Sequence, residues 1–158
     1  MPTIHLTIFI AAPIERVFDL ARSIDLHKKS MAHTGEDAIA GTVTGLIKAG
    51  ETVTWQAKHL GKKRVLRSKI TEMQIPHSFT DEMVDGDFKS MVHKHHFKQV
   101  ANGTVMIDLM DFESPWGGIG RLVNRFYLTS YMRELLEQRN RLIREYAESE
   151  KWRLVLNK

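Results

Sequence analysis

From residue 3 onward hydrophobic positions alternate, so that Ile4, Leu6, Ile8 and Ile10 share one face of a strand running from Thr3 to Ile10. Ala12-Pro13 then opens a short helix: proline suits the first turn, and Ile14, Val17, Phe18 and Ala21 fall at helical spacing. Ser23 or Asp25 can cap a second short helix through about Met31. A short strand at 36–41 and a glycine-punctuated turn from Gly41 to Gly50 follow. From Glu51 the period of two returns and holds. It predicts strands near 51–60, 62–74, 78–85, 88–100 and 104–112, with Gly61, Pro76-His77, Asp85-Gly86 and Asn102-Gly103 at the corners of an antiparallel meander. Ser114-Pro115-Trp116-Gly117-Gly118 ends this sheet. Beyond it the period becomes about 3.6: Ile119, Leu122, Val123, Phe126, Leu128, Met132, Leu135, Leu136, Leu142, Ile143 and Tyr146 make a broad apolar stripe. Arg121, Arg125, Arg133, Glu134, Glu137 and Arg141 fill much of the remainder. A helix of about 28 residues would be about 42 Å long, enough to cross a sheet face. No repeat, linker or low-complexity tract interrupts the 158 residues, so a single α+β domain over 1–158 is expected.

The turn signals also predict a register. If Asn102-Gly103 is a two-residue loop, Ala101 faces Thr104, Gln99 faces Met106, Phe97 faces Asp108 and His95 faces Met110. Alternation then gathers Met91, His93, His95 and Phe97 on one face with Met106, Asp108, Met110 and Phe112, while His96, Lys94 and Lys98 point the other way. Soft hydrophobes mixed with two imidazoles and a carboxylate suit a ligand cavity better than a dry core. Phe79, Asp81 and Met83 join that face if the Asp85-Gly86 turn carries three residues or a bulge, which keeps Phe79 and Met83 buried. The same register sends Val105, Ile107 and Leu109 outward, and a bulge, a homodimer or plain exposure would each accommodate that stripe.

Composition narrows the classes. A chain of this length buries a core without staples, and the absence of cysteine excludes disulfides, thiolate zinc sites and cysteine nucleophiles. No basic leader precedes Thr3 and no apolar run could span a bilayer, so a cytoplasmic protein without membrane insertion is expected. The net charge of +4 is modest, but Lys58, Lys62, Lys63, Arg64, Arg67 and Lys69 crowd one hairpin. Nucleic acid or anionic lipid could bind there. No aromatics interleave with the basic run, so nucleic acid is not expected as a partner, and a solvated hairpin partly balanced by Asp81, Glu82, Asp85 and Asp87 is the simpler reading.

For the polar face, three chemistries compete. As a binding site, His59, His93, His95 and Asp108 orient a head group while Trp55, Met83, Met91, Phe97, Met106, Met110 and Phe112 bury an apolar body. In an enzyme, the diagonal pair His95 and Asp108 would serve as general acid or base. No nucleophile elbow, phosphate loop or dinucleotide fingerprint accompanies it. In a metal site, His93 and His95 would chelate with Asp108 as third ligand, His59 lying too far along the sheet. Neither metal nor cofactor is expected. His27, His33 and Glu36 fall where the cavity mouth would be, as gate residues or as ordinary loop polar groups.

One strand, two short helices, a long meander and a long last helix resemble the START-like (SRPBCC) superfamily of polyketide cyclases and pollen-allergen-like proteins. The resemblance covers nearly the whole chain. Ala12-Pro13 with Val17-Phe18, the run Gly50 to Trp55, His59 with Gly61, Phe79 with Asp81-Glu82-Met83, His93 with His95 and Phe97, Thr104 with Met106 and Asp108, and Ser114-Pro115 with Gly117 and Gly120 carry it toward a bacterial subgroup of unassigned activity. It implies a helix-grip fold, in which a curved antiparallel sheet wraps a long C-terminal helix. It further implies a cavity between them for a hydrophobic, lipid-like or polyketide-like molecule. Such scaffolds carry many functions, and the ligand is not implied. The candidate ligand-binding residues are Trp55, His59, Phe79, Asp81, Met83, Met91, His93, His95, Phe97, Met106, Asp108, Met110, Phe112 and Phe126.

Overall fold

The computed structural model describes residues 3–114 and 120–156. Residues 115–119, where the sheet was expected to end, and the side chains of 121–124 lie outside the described residues. Strand β1 (Thr3–Ile10) is followed by helices α1 (Ile14–Ala21) and α2 (Ile24–Ser30), a 3-10 turn (Ala32–Thr34) and β2 (Asp37–Gly41). The meander comprises β3 (Thr52–His59), β4 (Lys62–Gln74), β5 (Ser78–Asp85), β6 (Ser90–Val100) and β7 (Gly103–Glu113), and helices α3 (Gly120–Glu148) and α4 (Trp152–Leu156) complete the chain. All neighbouring strands pair antiparallel, in the order β1-β7-β6-β5-β4-β3-β2. The first strand thus adds to the last, and the meander runs outward from there.

Local chemistry sets the corners. Pro13 precedes α1, and the Ser23 hydroxyl caps α2 by accepting the Leu26 N–H. Gly41 has φ +76°, and a side chain there would collide with the Thr52 carbonyl, so the bulged β2–β3 edge requires glycine. The loop after β2 is tied back by Asp25, whose carboxylate accepts the Thr44 hydroxyl and the Gly45 N–H, and this lodges Ile47 in the core.

One expectation about register changes and another holds. The β6–β7 loop residues are Ala101 and Asn102, not Asn102 and Gly103, so the pairs are Gln99 with Thr104, Phe97 with Met106, His95 with Asp108 and His93 with Met110. Asn102 supplies the positive φ of the turn, while Gly103 lies where a side chain would strike β1 at the Ile10 carbonyl. The slip is two residues, so each face keeps its side chains. Between β5 and β6 a four-residue link, 86–89, places Phe79 and Asp81 opposite His95 and His93, on the inner face.

The inner face meets α3 along its length and the shorter helices at one end. There Phe18 of α1 packs edge-on against Phe79 and Phe97, with ring centroids 5.5 and 5.2 Å away. Helix α4, absent from the expected element list, buries Val155 in the same cluster and sets Trp152 under the Arg16 guanidinium. Val105, Ile107 and Leu109 are half-buried on the outer face without a bulge in β6 or β7.

Candidate functional site

Between the middle of the sheet and the middle of α3 lies a cavity of about 250 Å3. Its walls are mainly apolar: Ile47, Val53, Trp55 and Ile70 on one side, and Phe79, Met91, Met110, Leu128, Met132 and Leu136 on the other. One end is closed by Asp81, His93, His95 and Arg139.

Strand alternation and the crossing of α3 build that polar end. Its hydrogen bonds run diagonally to the register: His93 Nε2 lies 2.9 Å from Asp108 Oδ1, and His95 Nε2 lies 2.7 Å from Asp81 Oδ2. The two imidazoles consequently stack, with centroids 3.8 Å apart and planes inclined at 29°. Asp108 is fully buried and receives four side chains: His93, His95 through Nδ1 at 3.1 Å, Arg139 Nη1 at 3.4 Å and Asn140 Nδ2 at 2.9 Å. Arg139 in turn donates to Asn140 Oδ1 and to the Ala21 carbonyl, and its Nη2 lies 3.4 Å from His95 Nδ1.

Burial alone would raise the Asp108 carboxyl, but hydrogen bonds from His93 and His95 and the Arg139 charge hold it well below the usual carboxylate range. Asp81 is likewise held below its ordinary value, because the His95 hydrogen bond and the neighbouring His93, His95 and Arg139 outweigh its burial. For His93, burial and the neighbouring His95 lower the ring's affinity for a second proton more than Asp108 restores it. A carboxylate only accepts, so His93 donates through Nε2 to Asp108 and leaves Nδ1 as a lone pair. His95 Nδ1 sits between an acceptor, Asp108, and a donor, Arg139, so the ring has a partner whether that nitrogen carries a proton or not.

Polar pairs also border the cavity away from this end. His27 pairs with Glu36 and lies against Trp55, with centroids 4.2 Å apart. His59 Nδ1 meets the Tyr131 hydroxyl at 2.7 Å, joining the end of β3 to α3, and burial lowers the pKa of His59 while raising that of Tyr131. Arg64 binds Asp87 at 2.7 Å, among the described residues the one pairing between the basic hairpin and the acids expected to balance it. His33 is exposed and takes no part in the lining.

Of the candidate residues, Trp55, His59, Phe79, Asp81, Met91, His93, His95 and Met110 line the cavity. Asp108 stands behind the histidines as their acceptor. Phe97 and Met106, paired across β6 and β7, are covered by α1 and belong to the packed core. Phe112 is fully buried against Phe88, and Met83 packs at the margin of the same cluster. Phe126 is 71% exposed, because it lies two residues, roughly 200° of helical rotation, from the inward-facing Leu128. Sequence reasoning missed Arg139, Asn140 and Tyr131. The signal for the first two was present: they fall on the apolar stripe at helical spacing between Leu136 and Ile143, where a polar residue is buried and needs a partner.

Asp81, His93 and His95 each offer a ligand atom within 4.8 Å of the others. The geometry does not suit a metal. Imidazole lone pairs lie in the ring planes, and rings stacked nearly parallel do not aim two of them at one point about 2 Å from each nitrogen. Both Nε2 atoms already bond carboxylates, and Asp108, the expected third ligand, is surrounded by the histidines, Arg139 and Asn140.

Residues 1–148 match the profile of the family described as polyketide cyclase/dehydrase and lipid transport. Among solved structures, TTHA0849 from Thermus thermophilus superposes with a TM-score of 0.75 at 20% identity, covering 92% of this chain and 97% of that one. The major latex-like protein 151 of Panax ginseng gives 0.67 at 18% identity over 94% and 98% of the two chains. A START superfamily protein from Mycobacterium smegmatis gives 0.69 at 13% identity over 92% and 97%. No curated protein sequence matches the chain. With the family profile spanning nearly every element around the cavity, and with a curved seven-stranded sheet gripping a long helix, the chain belongs to the polyketide cyclase/dehydrase and lipid transport family and has its START-like helix-grip fold.

Proposed function

We propose that this protein binds a hydrophobic or aromatic small molecule, lipid-like or polyketide-like, in the cavity between sheet and α3. The observation that carries this reading is a mainly apolar cavity of about 250 Å3 with a buried polar cluster, Asp81, His93, His95 and Arg139, at one end. Methionines at 31, 91, 110 and 132 line it, and their unbranched thioether chains repack around irregular shapes. The test is native mass spectrometry of protein purified from its own host without added metal, followed by denaturing release. Retention of an apolar molecule by the wild type, and its loss in Met110→Trp, is expected. Equal retention by both would place the molecule elsewhere and overturn the reading.

A second reading has a specific observation in its favour: His95 stands between two carboxylates beside a mainly apolar cavity, an arrangement suited to moving a proton on a bound molecule. In that reading Asp81 and Asp108 position the ring and His95 exchanges the proton. His95→Gln then abolishes turnover of a bound substrate, whereas in a carrier it only weakens binding.

A further inference from the structure

The polar end of the cavity has spent its strongest donors on itself. Both terminal nitrogens of Arg139 are engaged by Asp108, Asn140, Ala21 and His95, so its guanidinium has no free fork for a carboxylate. His95 has partners on both ring nitrogens. Among the described residues three groups at this end take no further hydrogen bond: the single Arg139 Nε–H, which donates, and two acceptors. Asp81 uses Oδ2 for His95 and leaves Oδ1 without a hydrogen-bond partner among the described residues, on a side chain 26% exposed. His93, donating through Nε2, presents the lone pair of Nδ1. Among the described residues the only sealed side-chain polar atom without a partner is Ser90 Oγ, so the Nδ1 of His93 opens onto space and not onto packed protein. The cluster also holds two carboxylates against one guanidinium.

We infer that the ligand is held by a hydrogen-bond donor, a phenolic or alcoholic hydroxyl received by Asp81 Oδ1 or by His93 Nδ1, and that the site discriminates against carboxylates. A carboxylate head group would meet two acceptors and a like charge where it needs donors. A hydroxyl is neutral, so it enters the apolar cavity at a much smaller desolvation cost than an ammonium. Asp81 is the specificity-determining residue, and Asp108, which fixes the donor side of His93, is a positioning residue. This inference rests on the cavity reading above.

The test titrates the protein with 2-naphthol, 2-naphthoate and naphthalene by calorimetry, in the wild type, in Asp81→Asn and in Met110→Trp. These three probes share a ring system and differ only at the polar end. 2-Naphthol should bind at least tenfold more tightly than 2-naphthoate and more tightly than naphthalene, with all binding lost in Met110→Trp. Asp81→Asn should narrow the naphthol-to-naphthoate ratio at least fivefold, and the wild-type ranking decides the question even if that variant fails to fold. Naphthoate binding as well as naphthol, still blocked by Met110→Trp, overturns the donor inference and leaves the cavity reading standing. An unchanged ratio in a folded Asp81→Asn removes Asp81 from its role. Failure of all three probes to bind sinks both the inference and the cavity reading.

Discussion

His93 Nε2 bonds Asp108 Oδ1 at 2.9 Å although the residue opposite Asp108 in the ladder is His95. The diagonal reach interleaves two His–Asp pairs, stacks the rings and makes Asp108 the acceptor on which three elements converge: β6, β7 and, through Arg139 and Asn140, α3. The carboxylate that organises the site therefore also fastens the helix to the sheet.

Removing it should be costly. Asp108→Ala leaves the Arg139 guanidinium and two imidazoles buried without their acceptor, and a loss of about 3–5 kcal/mol is expected on the precedent of broken buried pairs. Urea denaturation measures it. A loss comparable to that of a surface substitution, about 0.5 kcal/mol, would mean that the network contributes little.

Acid should destabilise the fold in two stages. His93 has a folded pKa below its ordinary 6.5, so on acidification the unfolded chain takes up that proton first and stability falls below about pH 6.5. Asp108 is held well below 3.8, so the unfolded carboxyl protonates first and stability falls again below about pH 4. Both contributions are complete at neutral pH and have the same sign. Urea midpoints at about pH 7.5, 5.5 and 3.5 should decline in that order, and His93→Gln should reduce the first step, leaving the share that His59, also held below 6.5, contributes. A midpoint unchanged between the first two conditions contradicts the assignment.

The His59–Tyr131 hydrogen bond ties the end of β3 to α3 beside the cavity. Tyr131→Phe should cost about 0.5–1.5 kcal/mol of stability, and it should speed both entry and release of an apolar ligand while altering equilibrium affinity little. Stopped-flow binding resolves the two rates, and unchanged rates would show that this pair does not gate the cavity.

Phe126 offers a contrast. Its exposed ring lies off the inward stripe, so Phe126→Ser should leave ligand affinity unchanged within about twofold and stability within about 0.5 kcal/mol. A large loss of affinity in calorimetry would place Phe126 against the ligand after all.

The strands, their inner and outer faces and the long helix were legible because each rests on a period the sequence displays. His93 and His95 share a face with Asp108 as alternation required, since a slip of two residues preserves the face, and Asp81 joins them through the β5–β6 link. The division of that face between cavity and core was not legible. Phe97 and Met106 do not line the cavity because α1 lies over their end of the sheet, and no residue on the strands themselves records where α1 docks. Arg139 was overlooked for a different reason: a polar residue on an apolar stripe reads as an interruption until its partner on the facing sheet, Asp108, is known.

A ligand held in this cavity would be reported directly by the methionines that line it. With methyl-labelled methionine, titration of 2-naphthol followed by NMR should shift the signals of Met91, Met110 and Met132, which line the cavity, and leave Met106, sealed under α1, where it was. Shifts confined to Met106 or to residues away from the cavity, with Met91, Met110 and Met132 unmoved at saturation, would contradict the account.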